Sequence, residues 1–212
     1  MQNKHTQRAQ IEIGDYIIDW ANKYANGITN AKLSVVMYFL YAGYSQKKVD
    51  VDDWDCQNCF NASFITYPEG PVEYYTKAKY AHFGGMKLRN RNSQGNIQNP
   101  IKHRYVTEFL VDNFDLLTKN YGLVQRYLKR EDGPWFLTKL DPDALKVTSL
   151  HVATELKCIP GELIKQGEAH LFSDAGILDH AAFNDCIKWG SPVYSPVYQR
   201  QYDLDADLTQ EL

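Results

Sequence analysis

Cysteine is scarce and poorly distributed for chemistry: four thiols in 212 residues, with Cys158 and Cys186 isolated and Cys56 and Cys59 forming a single C-x-x-C. One such pair without a second argues against a zinc ribbon, and no strand-helix-strand pattern surrounds it as a thioredoxin-like motif requires. Cys56 and Cys59 remain the candidate metal ligands, and the expectation is a chain with no metal and no cofactor. Long apolar runs are missing too: the uncharged stretch from Leu33 to Gln46 is about fourteen residues where a membrane span needs about twenty. The polar opening, Met1 to Arg8, holds no apolar signal core, so a cytoplasmic protein with reduced thiols is expected. Net charge is −3, too small to announce nucleic acid or an anionic membrane as partner. No Walker loop, G-x-S-x-G elbow, H-E-x-x-H pair or Gly-rich dinucleotide turn is present. His103, His151, His170 and His180 stand at unrelated spacings, and neither a catalytic residue nor an enzyme activity is expected.

What the chain does have is a helix apolar on nearly every side. Leu33, Val36, Met37, Leu40, Tyr41 and Tyr44 recur at helical spacing, and Val35, Tyr38, Phe39 and Ala42 occupy the opposite face. Such a helix must be surrounded, so Lys32 to Ser45 is predicted as the centre of a globular core, capped by Thr29 or Asn30. Before it, residues 9–25 form a helical pattern with Ile13, Tyr16, Ile17, Trp20, Ala21 and Tyr24 on one face and Asp15, Asp19 and Lys23 off it, ended by Gly27. After it, Asp50, Asp52, Asp53 and Asp55 crowd a short stretch that lacks the later Gly and Glu of a calcium loop and reads as a solvated acidic turn.

Phe60 to Tyr67 has the texture of a short strand, stopped by Pro68-Glu69-Gly70-Pro71. Val72 to Phe83 then reads as a helix with Tyr75, Ala78 and His82 inward. From Tyr74 to Thr107 no acidic residue occurs, while Lys77, Lys79, Lys87, Arg89, Arg91, Lys102 and Arg104 supply seven positive charges. A basic loop of this kind grips phosphate or an acidic protein patch, or is simply solvated. Combined with nearby rings, it gives the candidate partner-binding set Lys87, Arg89, Arg91, Lys102, Arg104, Tyr67 and Tyr75, since Arg and aromatics are the usual hot-spot residues.

Tyr105 to Lys119 is predicted as a helix with Val106, Phe109, Leu110, Asn113, Phe114 and Leu117 inward, and a shorter one follows through Leu128. Asp141-Pro142-Asp143 looks like a helix start and predicts a helix to about Lys157. Two more helical patterns, near Glu162 to Ala169 and Asp174 to Trp189, lead to a C-cap at Gly190. A repeated Ser-Pro-Val-Tyr (191–198) and an acidic tail complete the chain. The predicted architecture is mainly α, formally α+β with one short β element: a compact helical domain (1–140) around a buried central helix, and a helical C-terminal extension (141–212).

Three ordered segments carry a resemblance. They are Ile28-Thr29-Asn30-Ala31-Lys32-Leu33 running into Val36-Met37-Tyr38-Phe39; Phe64-Ile65-Thr66-Tyr67-Pro68-Glu69-Gly70-Pro71-Val72 before Tyr74-Tyr75; and Tyr121-Gly122 followed by Glu131-Asp132-Gly133-Pro134-Trp135. In that order, over about two-thirds of the chain, they resemble the Panacea domain, the family that includes SocA-like antitoxins and phage-associated GepA proteins. Two departures stand out: two extra residues between Tyr67 and Gly70, and Lys129-Arg130 where the family has Thr-His, so a role resting on that histidine does not transfer. The resemblance implies an antitoxin that neutralises a cognate toxin by direct contact, with a cellular protease as further partner if it acts as a proteolytic adaptor. Two alternatives stay open: a phage or mobile-element protein that binds a host factor, and a nucleic-acid-binding protein acting through residues 77–104.

Overall fold

In the computed structural model residues 4–47, 63–89, 104–147 and 155–190 are described. Helix α2 (Asn30–Gln46) is the centre. Thr29, in an extended conformation, caps it by accepting from Lys32 N, and twelve of its seventeen residues are buried. It is covered by α1 (Lys4–Tyr24), by α4 (Arg104–Lys119) and by α7 (Gly161–Glu168), and on a further side by strand β2 (Gly70–Glu73). A helix enclosed on so many sides has no solvent face left for polar residues, which is why its sequence shows almost no amphipathic bias.

Helix α1 buries Ile13, Tyr16, Ile17, Trp20 and Ala21 as predicted. Two of its assignments change: Asp19 is buried, whereas Tyr24 is 61% exposed and its ring is tilted against Trp20. The polar flank has a neighbour. Helix α3 (Tyr74–Lys79) packs there, and Lys79 Nζ and Tyr80 OH both donate to the Asp15 carboxylate.

Strand β1 (Phe64–Tyr67) pairs antiparallel with β2 in a hairpin closed by Pro68-Glu69, Tyr67 facing Gly70. Gly70 to Glu73 therefore continues the sheet instead of opening a helix at Val72. The helix waits for Glu73, whose Oε2 accepts from Thr76 N at 2.7 Å and Thr76 Oγ1 at 2.9 Å. With the start displaced, Thr76 and Tyr80 take the inward positions; Tyr75 is half-buried, and Ala78 and His82 are exposed. Ala81–Phe83 is a single 3-10 turn.

The inward residues predicted for α4 are all buried. After α5 (Tyr121–Leu128), Gly133 and Pro134 open α6 (Pro134–Leu140). No helix starts at Asp141. Its N–H closes α6 by donating to Leu137 O, and its Oδ1 accepts from Asp143 N, so the Asp-Pro pair ends one helix and turns the chain. Lys146–Val147 (β3) and Leu156–Lys157 (β4) then pair antiparallel, and Lys157 Nζ donates to the carbonyls of Lys139 and Asp141.

Helix α7 and a 3-10 turn (Ala169–Leu171) lead to α8 (His180–Trp189). This last helix starts later than predicted from Asp174, because Asp179 accepts from Ala181 N and Ala182 N and sets the cap there. It ends at Gly190 in the left-handed conformation, as expected. Ile164, Leu171, Phe183 and Ile187 join the same apolar cluster as Ile17, Phe39 and Leu110. The architecture is mainly helical with small two-stranded sheets. No helix among the described residues is long and apolar enough to cross a membrane.

Candidate functional site

The residues expected to bind a partner stand on separate elements. Tyr67 is half-buried at the hairpin, with Lys77 Nζ 4.7 Å from its ring centroid and its carbonyl accepting from Trp135 Nε1 at 2.9 Å. Tyr75 lies against Tyr74, ring centroids 5.3 Å apart. Lys87 is exposed beside the α1–α2 loop, donating to Asn26 Oδ1 at 2.6 Å, and Arg89 is exposed two residues on. Arg104, at the start of α4, donates to Glu108 at 2.8 Å. Arg91, Lys102, Cys56, Cys59, the acidic residues 50–55, and the Ser-Pro-Val-Tyr repeat with the tail lie outside the described residues. Among the described residues no group of three His, Cys, Asp or Glu is placed to hold a metal.

A polar cluster that the sequence did not announce joins the last of the described helices to the rest. Glu168, at the end of α7, is fully buried and accepts from Tyr38 OH at 2.8 Å, Tyr127 OH at 2.7 Å and Arg130 Nη1 at 3.1 Å. Arg130 also donates to Gly167 O, stacks 4.0 Å over the Tyr127 ring, and has its Nε 3.2 Å from Asp132 Oδ1 without hydrogen-bond geometry. Tyr127 OH donates its hydrogen bond to Glu168, so in the 3.1 Å contact with His170 Nε2 the imidazole N–H is the donor.

Burial, followed by the Glu168 charge, pushes the Tyr38 and Tyr127 phenols well above their usual range. Burial works against the Arg130 charge, but Glu168 and the two phenols outweigh it and hold the guanidinium ionised. Burial also lowers the imidazole pKa of His170 and pushes the Cys186 thiol up to about 12. Every group capable of acid–base or nucleophilic chemistry here is enclosed, hydrogen-bonded or protonated, so the cluster works as a buried lock. His180 is elsewhere, donating from Nε2 to Asn113 Oδ1 at 2.8 Å, so the described histidines do not converge. Reading Arg130 only as a departure from a family pattern hid its part in this lock, and nothing at Glu168 distinguishes it in the sequence from an outward helix carboxylate.

A cleft of about 120 Å³ opens where α2, the hairpin and α5 meet. Val35, Val72 and Leu128 give it apolar walls, and Lys77, Glu69 and Tyr121 add polar groups. Gln125 Nε2 donates to Glu69 O at 3.1 Å, and the Trp135 bond to Tyr67 O ties the hairpin to α6. The segments that carry the family resemblance thus meet around one cleft. No family model, curated protein or solved structure matches the chain.

Proposed function

We propose that the chain is a Panacea-type, antitoxin-like protein that neutralises a partner toxin by direct protein–protein binding. The observation that supports this reading is the convergence of the three family-like segments: Trp135 Nε1 ties the Gly133-Pro134-Trp135 turn to the hairpin at Tyr67 O, and α2, the hairpin and Tyr121 line one cleft. A rigid scaffold presenting a preformed cleft suits a protein whose work is binding, because little ordering cost is incurred on association. Among the described residues of the basic stretch, Lys79 pairs with Asp15, Arg104 with Glu108, and Lys77 lies against Tyr67, a dispersed arrangement that favours a protein partner over a phosphate backbone.

The test is co-expression of the chain with each gene flanking its own locus, scoring growth and co-purification. Rescue from a toxic neighbour together with a stable complex supports an antitoxin. If no neighbour is toxic, or a toxic one is neither rescued nor bound, the reading fails; the phage-type alternative is then tested by pull-down from host lysate.

A further inference from the structure

We propose that the cleft between α2, the hairpin and α5 is an anchor site for one aliphatic side chain of a partner segment whose neighbouring residue is acidic. The volume, about 120 Å³, falls below the several hundred Å³ typical of sites that engulf a whole small molecule and suits a single side chain. Ala31, Val35, Val72 and Leu128 supply apolar contact for it. The acidic neighbour follows from Lys77. This residue is half-buried, its ammonium rests over the Tyr67 ring, and among the described residues that ammonium makes neither an ion pair nor a hydrogen bond, unlike that of Lys79 two positions on. A partly desolvated cation beside an apolar cleft is completed by a carboxylate.

Glu69 lines the same cleft from the hairpin turn, close enough to Tyr67 and Tyr121 that its charge, after burial, raises both phenols. It repels a second carboxylate, so it selects a segment with an acid beside Lys77 and a neutral or basic residue beside Glu69. The walls are preformed, since Gln125 and Trp135 pin the hairpin by its backbone carbonyls. The identity of the partner rests on the toxin-binding reading, but the chemistry of the cleft does not.

The probes are acetylated, amidated tripeptides titrated into the isotope-labelled full chain and followed by amide NMR. Gln-Leu-Asp is expected to give saturable shifts at Val35, Val72 and Leu128, whereas Gln-Leu-Asn binds about fivefold more weakly for want of the charge. Gln-Ser-Asp should give none there. A31W, which fills the cleft, should abolish the shifts. K77Q, which leaves the apolar walls in place, should equalise the Asp and Asn peptides. Absence of shifts with Gln-Leu-Asp, equal binding of the Asn peptide to the wild type, or retained discrimination in K77Q overturns the proposal. No toxin enters this titration: a negative result removes the anchor even if co-expression succeeds, and a positive one stands even if co-expression fails.

Discussion

Replacing Arg130 by Met removes the cation from beside a carboxylate that has no exposed surface, and the consequence can be worked through from the geometry. Glu168 keeps its hydrogen bonds from Tyr38 and Tyr127 but loses the charge that offsets its desolvation. Breaking a buried pair in this way costs about 3–5 kcal/mol. At about 2–4 °C per kcal/mol for a chain of this size, Tm falls by about 6–20 °C. Urea melts of both proteins at pH 7.5 measure this loss. A second arm, R130M/E168L, should be less destabilised than R130M alone, because the orphaned charge has gone. The reasoning is refuted if R130M melts within about 1 kcal/mol of wild type, or if R130M/E168L is no more stable than R130M.

Gly43 on α2 is approached so closely that an added Cβ would lie 2.7 Å from Phe172 and 2.9 Å from the Gly176 carbonyl, so G43V should cost about 1–3 kcal/mol or more by overpacking, read as a lower urea midpoint. Replacing Leu40 by Asp, at a site 1% exposed, should unfold the chain, seen as lost near-ultraviolet circular dichroism. His170, whose pKa burial depresses, binds its proton less tightly folded than unfolded, so wild-type stability should fall as pH drops below about 6.5. H170N should remove that part of the slope in melts between pH 7.5 and 5. R89E leaves the melting midpoint within about 0.5 kcal/mol, because the side chain is exposed, and should weaken binding of the co-purified partner, measured by calorimetry.

The legible parts of the fold were those set by local pattern. Thr29 ahead of a long apolar stretch marked α2 correctly, the spacing of Val106, Phe109, Leu110 and Phe114 marked α4, and Gly190 marked the end of α8. The errors have contacts outside the helical period as their cause. Phe64 to Tyr67 drew Gly70 to Glu73 into a hairpin strand, Leu137 claimed the Asp141 N–H from one turn upstream, and α3, from a later part of the chain, covered the polar flank of α1. The buried lock is the extreme case, since Tyr38 and Glu168 are 130 positions apart and no period in the sequence connects them. The cleft was half legible: its lining residues sit in the quoted motifs, but the polarity set by Lys77 and Glu69 emerges only when the hairpin is folded.

Glu168 follows the residues it binds, Tyr38 by 130 positions and Arg130 by 38, and this has a consequence for how the protein is made. A ribosome that has released everything up to α6 has delivered Tyr38, Tyr127 and Arg130 but not the carboxylate they converge on, nor Ile164, Phe183 and Ile187 of the core. Until those residues emerge, the nascent chain lacks the buried carboxylate and leaves apolar core groups uncovered, a state that attracts chaperones and proteases. Stalled or prematurely terminated products should therefore be short-lived in the cell, and only chains completed through α8 accumulate. Survival of the nascent chain is then tied to synthesis as far as α8.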